Sequence, residues 1–279
     1  MTNDEITIII TTFNSDQKIK ECLASIDGKY KVIVVENSDN KEFKTFLENK
    51  YPNVHCLIAG KNLGYSAGNN LALKKVVTKY SLILNPDTIL RQDSISNFFL
   101  TAEKNSNFAI IGPVNGQVDT LENKNESNLI EVNNIKGFAM FLNMEKFSQI
   151  GFFDENFFLY FEEIDLCRRV KKFSEKIYID PSITIKHIGG ASVESSSSYQ
   201  LELNRNWHWM WSTFYYHKKY MGFFIAILMI MPKFFSALFK SLFYLVISDK
   251  ENKNIYLKRL SGLINSIVGK KSWHRPTLD

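Results

Sequence analysis

The chain has 279 residues, 45% of them hydrophobic and 14% aromatic, with a formal net charge of +5. That length and ordinary hydrophobic fraction exclude an unfolded chain and allow one large domain, or one domain with an appendage. Cys22, Cys56 and Cys167 include no CxxC pair, which excludes a disulfide frame and a thiolate zinc site and predicts reduced, mostly buried thiols.

Asp4 and Glu5 lead straight into a strand-like run, so no secretory signal is expected. Residues 6–13 (ITIIITTF) read as a buried β-branched strand closed by the polar turn Asn14-Ser15-Asp16. A helical pattern continues to about Ile26. Residues 31–35 (KVIVV) give a second strand, closed by Glu36-Asn37-Ser38-Asp39. Residues 54–59 predict a third strand, and residues 62–70 (NLGYSAGNN) open a helix reaching about Lys79. Residues 80–84 (YSLIL) form a fourth strand that ends in Asn85-Pro86-Asp87-Thr88. This alternation predicts an α/β fold with a mostly parallel central sheet covered on both faces. In such sheets ligands bind beyond the carboxyl ends of the strands, where Thr11, Glu36, Asn62 and Asp87 all fall.

Residues 108–114 and 137–143 (GFAMFLN) read as further strands, and the Asn-rich stretch 120–134 between them as polar and mobile. Residues 151–170 (GFFDENFFLYFEEIDLCRRV) set five carboxylates among aromatics and end in an arginine pair. A helix from about Phe161 puts Glu163, Cys167 and Val170 on one face, and Glu162, Asp165 and Arg169 on a more polar one. A carboxylate sharing a face with apolar groups loses solvation, and its pKa rises toward that of a useful base. The competing reading is a helix N-terminus whose acidic residues complement the macrodipole.

Residues 176–188 are strand-like, and Gly189, Gly190 and the serine run 195–198 read as a flexible loop. Composition then changes, dividing the chain at about residue 200. Residues 206–220 are dense in aromatics, and residues 222–248 are apolar but interrupted by Pro232, Lys233 and Lys240. The charge-free portion is shorter than the roughly 20 residues a transmembrane helix needs, so residues 201–279 read as helices lying in a membrane interface. A docked helical pair completing a soluble core is the alternative.

The pattern NxGxxxGN is neither a Walker loop nor a dinucleotide fingerprint; a helix cap with permissive glycines explains it in isolation. Asp87 suits a hard divalent cation meeting phosphate oxygens, or a turn. His187 is a second metal ligand or a hydrogen-bonded strand-end histidine. In series, however, ITIIITTFN, VVENSD, NLGYSAGNN, LNPDT, KGFAMFL, GFFDENFFLYFEEIDLCRR and KHIGGAS resemble the inverting GT-A glycosyltransferases of family 2, and their rhamnosyltransferase-like branch in particular. The resemblance spans about residues 5–210 and makes residues 1–200 a GT-A catalytic domain.

It implies a nucleotide-sugar donor, Mg²⁺ or Mn²⁺, and single-displacement transfer with inversion. Thr11 and Phe13 would line the nucleotide pocket, and Glu36 would accept from the pyrimidine N3–H. Asn62 and Gly64 would lie near the donor. Asp87 would hold the metal beside Asn85, assisted by His187. Glu163 would be the general base; Asp154, Glu162 and Asp165 would shape the acceptor site, and Arg205 would help neutralise the leaving diphosphate. Asn85 stands where the family usually has aspartate, as do Glu36 and Glu163. The implied donor is dTDP-L-rhamnose or a UDP-sugar, and the implied acceptor a polyprenyl-diphosphate-linked glycan at the cytoplasmic face of a membrane, with no nucleic acid. A paired-carboxylate glycoside hydrolase leaves the strand-end residues unexplained. A nucleotidyltransferase expects a Gly-rich, Arg-containing loop where TTFNSD stands. A silent glycan- or lipid-binding partner is disfavoured by the retention of Asp87, Glu163 and His187.

Overall fold

The computed structural model describes residues 3–116, 129–187 and 198–275. The chain forms two compact units, the first comprising Met1–Phe153 and Glu163–Glu194, the second Asp154–Glu162 and Ser195–Asp279.

In the first unit the β-branched run becomes β1 (Ile6–Thr12), with α1 (Asp16–Ala24), β2 (Lys31–Glu36), α2 (Lys41–Lys50), β3 (Val54–Ile58), α3 (Gly64–Leu73) and β4 (Tyr80–Leu84) following in alternation. Strands β3, β2, β1 and β4 pair in parallel, with helix-borne and strand-borne apolar residues such as Ile8, Ile19, Cys22 and Leu47 fully buried between the layers. Helix α3 ends at Leu73, before the expected Lys79, where the β-branched run Val76-Val77-Thr78 disfavours helix.

Beyond β4 the pattern changes. The remaining elements are β5 (Thr88–Leu90), α4 (Ser94–Lys104), β6 (Phe108–Asn115), β7 (Ile130–Glu131), β8 (Ala139–Asn143), α5 (Met144–Ile150), α6 (Glu162–Lys172) and β9 (Lys176–His187). Among the described residues the sheet runs β3-β2-β1-β4-β8-β6-β9-β5, with β7 on β9. Strand β8 is antiparallel to both β4 and β6, and β5 is antiparallel to β9. The expected parallel pairing therefore holds for its first four strands and for β6 with β9, and the whole sheet is mixed. Part of the Asn-rich stretch, expected to be mobile, pairs as β7 with Tyr178 and Ile179. Residues 117–128, Gly189, Gly190 and Ser195 to Ser197 lie outside the described residues.

The second unit contains α7 (Ser198–Met221), α8 (Phe223–Val246) and α9 (Lys250–Ile267). Met210, Phe214, Ala226, Ile230 and Leu263 form its core. Gly262 lets α9 approach α7 closely, since a Cβ there would meet the Trp207 carbonyl oxygen at 2.2 Å. Helix α8 runs unbroken through the exposed Pro232 and through Lys233, so its length is not limited by the charge-free portion. Its 24 residues are long and apolar enough to cross a membrane by length and composition.

Candidate active site

The parallel strands bring the first group of candidate residues together at their carboxyl ends. Thr11, near the end of β1, donates its hydroxyl to Asn69 Oδ1 of α3 at 3.0 Å. The helix comes this near because of Gly68, where a Cβ would lie 2.6 Å from Thr11 Cγ2. Phe13 follows the strand, half-buried, with its carbonyl accepting the Ser15 hydroxyl at 2.8 Å. Glu36 ends β2 and is buried. Its carboxylate accepts the Ser38 hydroxyl (2.8 Å) and the backbone N–H groups of Ser38 and Asn40 (both 3.1 Å). It shapes its own turn and keeps acceptor capacity for one further donor.

Asn37 was not singled out by the sequence reading, yet it fastens this corner. Its amide donates to Gly64 O (3.1 Å) and Asn62 Oδ1 (3.3 Å), and its carbonyl accepts from Leu63 N (2.9 Å). Asn62 in turn accepts from Gly64 N at 3.0 Å, where φ is +82°, a conformation that favours glycine.

The second group forms because β5 runs antiparallel to β9 with Thr88 opposite His187. That register sets His187 Nε2 3.4 Å from Asp87 Oδ1, while Asn85 Nδ2 lies 3.5 Å from the same nitrogen. The His187 ring stacks on Phe138, with centroids 4.7 Å apart and planes within 8°. Phe138 O also accepts Asn85 N at 2.8 Å. Among the described residues no three His, Cys, Asp or Glu side chains gather as a metal cluster. Asp87 and His187 nevertheless fit a hard divalent cation that takes most of its remaining ligands from phosphate and water. Two donors about 2.1 Å from one ion at right angles stand about 3 Å apart.

The base candidate adjoins this group through the chain. A Cβ on Gly137, the residue before Phe138, would lie 3.5 Å from both Glu163 Cβ and Tyr65 Oη. Tyr65 donates that hydroxyl to Gly137 O at 2.5 Å. As the helical spacing predicts, Cys167 and Val170 on the Glu163 face are fully buried. Burial raises the Glu163 pKa, and N–H donors at the helix start oppose that rise without cancelling it. The same burial pushes the thiols of Cys22 and Cys167 up to about 12 and that of Cys56 to about 11, leaving them inert at neutral pH.

Two candidates are held in hydrogen-bond networks of their own. Asp165 is fully buried against Arg169, which bonds it at 2.9 Å and also holds the carbonyls of Ile150, Gly151 and Phe152. In the second unit, Asp154 accepts from Lys219 (2.7 Å), Tyr215 (3.0 Å) and Asn156 (2.8 and 3.0 Å). Burial pushes its carboxyl up, but the Lys219 and Asn156 hydrogen bonds outweigh that and hold it below the usual range. Asp154 is thus a fastening of its own segment to α7. Also in this unit, burial raises the Tyr160 hydroxyl pKa, which the nearby charge of Arg205 lowers and that of buried Glu162 raises further.

The mixed sheet, with its parallel strands β3-β2-β1-β4 beside the antiparallel β8, is that of the GT-A glycosyltransferase fold. The chain belongs to glycosyl transferase family 2, whose sequence pattern matches residues 7–168. It is 30% identical over 230 residues to the low-salt glycan biosynthesis hexosyltransferase Agl10 of Haloferax volcanii, covering 72% of this chain and 73% of that protein. The rhamnosyltransferase WbbL of Escherichia coli is 24% identical over 218 residues, 64% of this chain and 82% of WbbL. An N-acetylglucosaminyl-diphospho-decaprenol L-rhamnosyltransferase of Mycobacterium tuberculosis is 20% identical over 66% of this chain and 76% of its own. The fold is similar to that of the mannosyltransferase PcManGT of Pyrobaculum calidifontis, solved with GDP-Man and Mn²⁺. The TM-score is 0.61 at 11% identity, over 96% of this chain and 88% of that one.

Proposed function

We propose that this glycosyltransferase moves L-rhamnose from dTDP-L-rhamnose, with inversion, onto a polyprenyl-diphosphate-linked glycan at the cytoplasmic face of a membrane. The observation that carries the chemistry is the run Gly137-Phe138: one residue adjoins Glu163 and the next stacks on His187, which faces Asp87. A base and a diphosphate-binding pair that pack on two adjacent residues, Gly137 and Phe138, suit a single displacement, in which acceptor oxygen, anomeric carbon and leaving oxygen align.

In this reading the acceptor hydroxyl gives its proton to Glu163 Oε as its oxygen bonds the anomeric carbon, and the bond to the diphosphate oxygen breaks. Asp87 and His187 would hold a divalent cation, which supplies charge stabilisation to the departing diphosphate. Glu36 accepts the pyrimidine N3–H, while Thr11, Phe13, Asn62 and Gly64 line the nucleotide and donor. Glu162 faces the acceptor and Arg205 adds positive charge for the diphosphate. The rhamnosyl donor and lipid-linked acceptor are supported by the names of the similar Escherichia and Mycobacterium enzymes. The exposed apolar residues of α8, Phe224 and Leu228 among them, support attachment to the membrane.

The test is a thermal-shift series with dTDP, dTDP-rhamnose, UDP and UDP-sugars, with and without Mn²⁺. Metal-dependent stabilisation by dTDP compounds, lost in Asp87→Ala, is the expected result. Stabilisation by UDP compounds alone would overturn the rhamnosyl donor and keep the enzyme class. No response from the folded protein to any nucleotide would overturn the transferase site.

A further inference from the structure

In the second unit the segment Asp154–Glu162 is fastened to α7 along its length, with Phe157 packed on Tyr215, Tyr160 and Phe161 on Trp209, and Phe161 also on Tyr216. Asp154 takes Tyr215 and Lys219, as above, and the Leu159 carbonyl accepts the Ser212 hydroxyl at 2.9 Å. A further fastening draws on a stretch far along the chain. The Phe158 ring stacks on His208 of α7, with centroids 4.5 Å apart, and the Arg275 guanidinium carbon lies 3.6 Å from the centroid of Phe158.

The tail that carries Arg275 is built onto the same histidine. His208 is fully buried, and its Nε2 lies 2.8 Å from the His274 carbonyl, which can only accept. The proton therefore sits on Nε2, and Nδ1 accepts the Ser272 hydroxyl at 2.9 Å. Burial keeps the imidazole neutral, with its pKa pushed down to about 3. Arg275 Nη1 donates back to the carbonyls of Ser272 (3.0 Å) and His274 (2.8 Å), so the tail holds its own turn while its guanidinium lies over Phe158.

The chain held in this way is strained. Tyr160 and Phe161 both have φ of +70°, the left-handed region that side-chain-bearing residues keep only when their surroundings over-determine it. They directly precede Glu162 and Glu163, the start of α6. We propose that Arg275 is a positioning residue: by holding Phe158 on His208 it braces, beside the contacts of Tyr160 and Phe161 with Trp209 and Tyr216, the strained turn that leads into α6. The consequence for catalysis rests on the reading of Glu163 as the base, whereas the conformational claim does not.

Hydrogen exchange followed by mass spectrometry on the full chain, without ligand, tests it. In Arg275→Ala the amides of residues 159–163 are expected to exchange about tenfold faster, while those of β1 to β4 keep their wild-type rates. Arg275→Lys, which keeps a cation for the ring, restores part of the protection. Unchanged exchange at residues 159–163 in Arg275→Ala overturns the proposal. Should that variant fail to fold, Phe158→Leu leaves the tail's own hydrogen bonds in place. Faster exchange there sustains the clamp and unchanged exchange overturns it. Transfer by Glu163→Gln separates the two readings: an active Glu163→Gln enzyme removes the base assignment and leaves the clamp standing.

Discussion

A carboxylate that must lose solvation to become a base weighs on the fold that carries it. Glu163 has its pKa raised in the folded chain, so the proton is held more tightly there than in the unfolded chain. Its favourable contribution is present below the ordinary glutamate pKa and is lost as pH rises through the raised one. Glu163→Gln should therefore melt at or above the wild-type temperature at pH 7, and that advantage should shrink toward pH 4. Transfer by the same variant should fall by about 10²- to 10⁴-fold, the range of a general base. A variant that lost stability together with activity would make Glu163 a structural residue. The acid limb of the kcat/KM profile should lie above 4.5, the ordinary glutamate value, because only the deprotonated form accepts the acceptor's proton. A limb at or below that value would remove the burial argument for this residue.

Helix ends and helix crossings carry their own expectations. Helix α6 ends in a Schellman motif, with Ser174 N–H donating to Lys171 O (3.0 Å) and Glu175 N–H to Val170 O (3.2 Å). Ser174 has φ of +60°, so Ser174→Gly should stabilise by about 0.5–1 kcal/mol, read from thermal melts by circular dichroism. Gly262→Ala should do the opposite, costing about 1–3 kcal/mol, because its Cβ would press on the Trp207 carbonyl backbone. Trp207, Trp209, Trp211 and Trp273 all belong to the second unit, so urea melts by tryptophan fluorescence report that loss selectively. Wild-type melting in Gly262→Ala would show that the helices can part at little cost. At this scale the sequence was legible wherever burial imposed a pattern. The β-branched runs became β1 and β2, the apolar run YSLIL became β4, and the Glu163-Cys167-Val170 spacing became one face of α6. Helix α2 has no counterpart in that reading, although Asn40 capping Phe43 N–H and the pair Phe43 and Leu47 were its signals. The antiparallel pairings of β5 and β8 escaped because nothing local in a short apolar run records its partner's direction. The proximity of Asp87 to His187 follows from such a pairing, so the resemblance put both in one site while spacing alone could not.

For the whole molecule, the unpartnered face of α8 sets the clearest expectation. Phe224, Leu228 and Phe239 are 82%, 66% and 66% exposed, and the helix holds Lys233 and Lys240 but no acidic residue. The triple variant Phe224→Glu, Leu228→Glu and Phe239→Glu should lose at least tenfold in co-sedimentation with vesicles containing anionic lipid, with melting unchanged. Wild-type binding by this variant would remove α8 as the anchor. The aromatic and apolar composition of residues 206–248 pointed to such a surface. What composition could not reveal is that residues 154–162, read as the approach to a helix, belong with α7 to α9, because that membership depends on contacts such as Asp154 with Tyr215 and Phe158 with His208. The chain passes from the first unit to the second, back, and over again, at Phe153, Glu162 and Glu194. During synthesis the ribosome delivers Phe158 more than a hundred residues before Arg275, so the segment leading to Glu163 emerges long before its clamp exists. The nucleotide corner of Thr11, Glu36, Asn37 and Asn69 lies within residues 11–69, so under the proposed clamp the order of synthesis sets the donor-side corner well ahead of the turn that Arg275 braces.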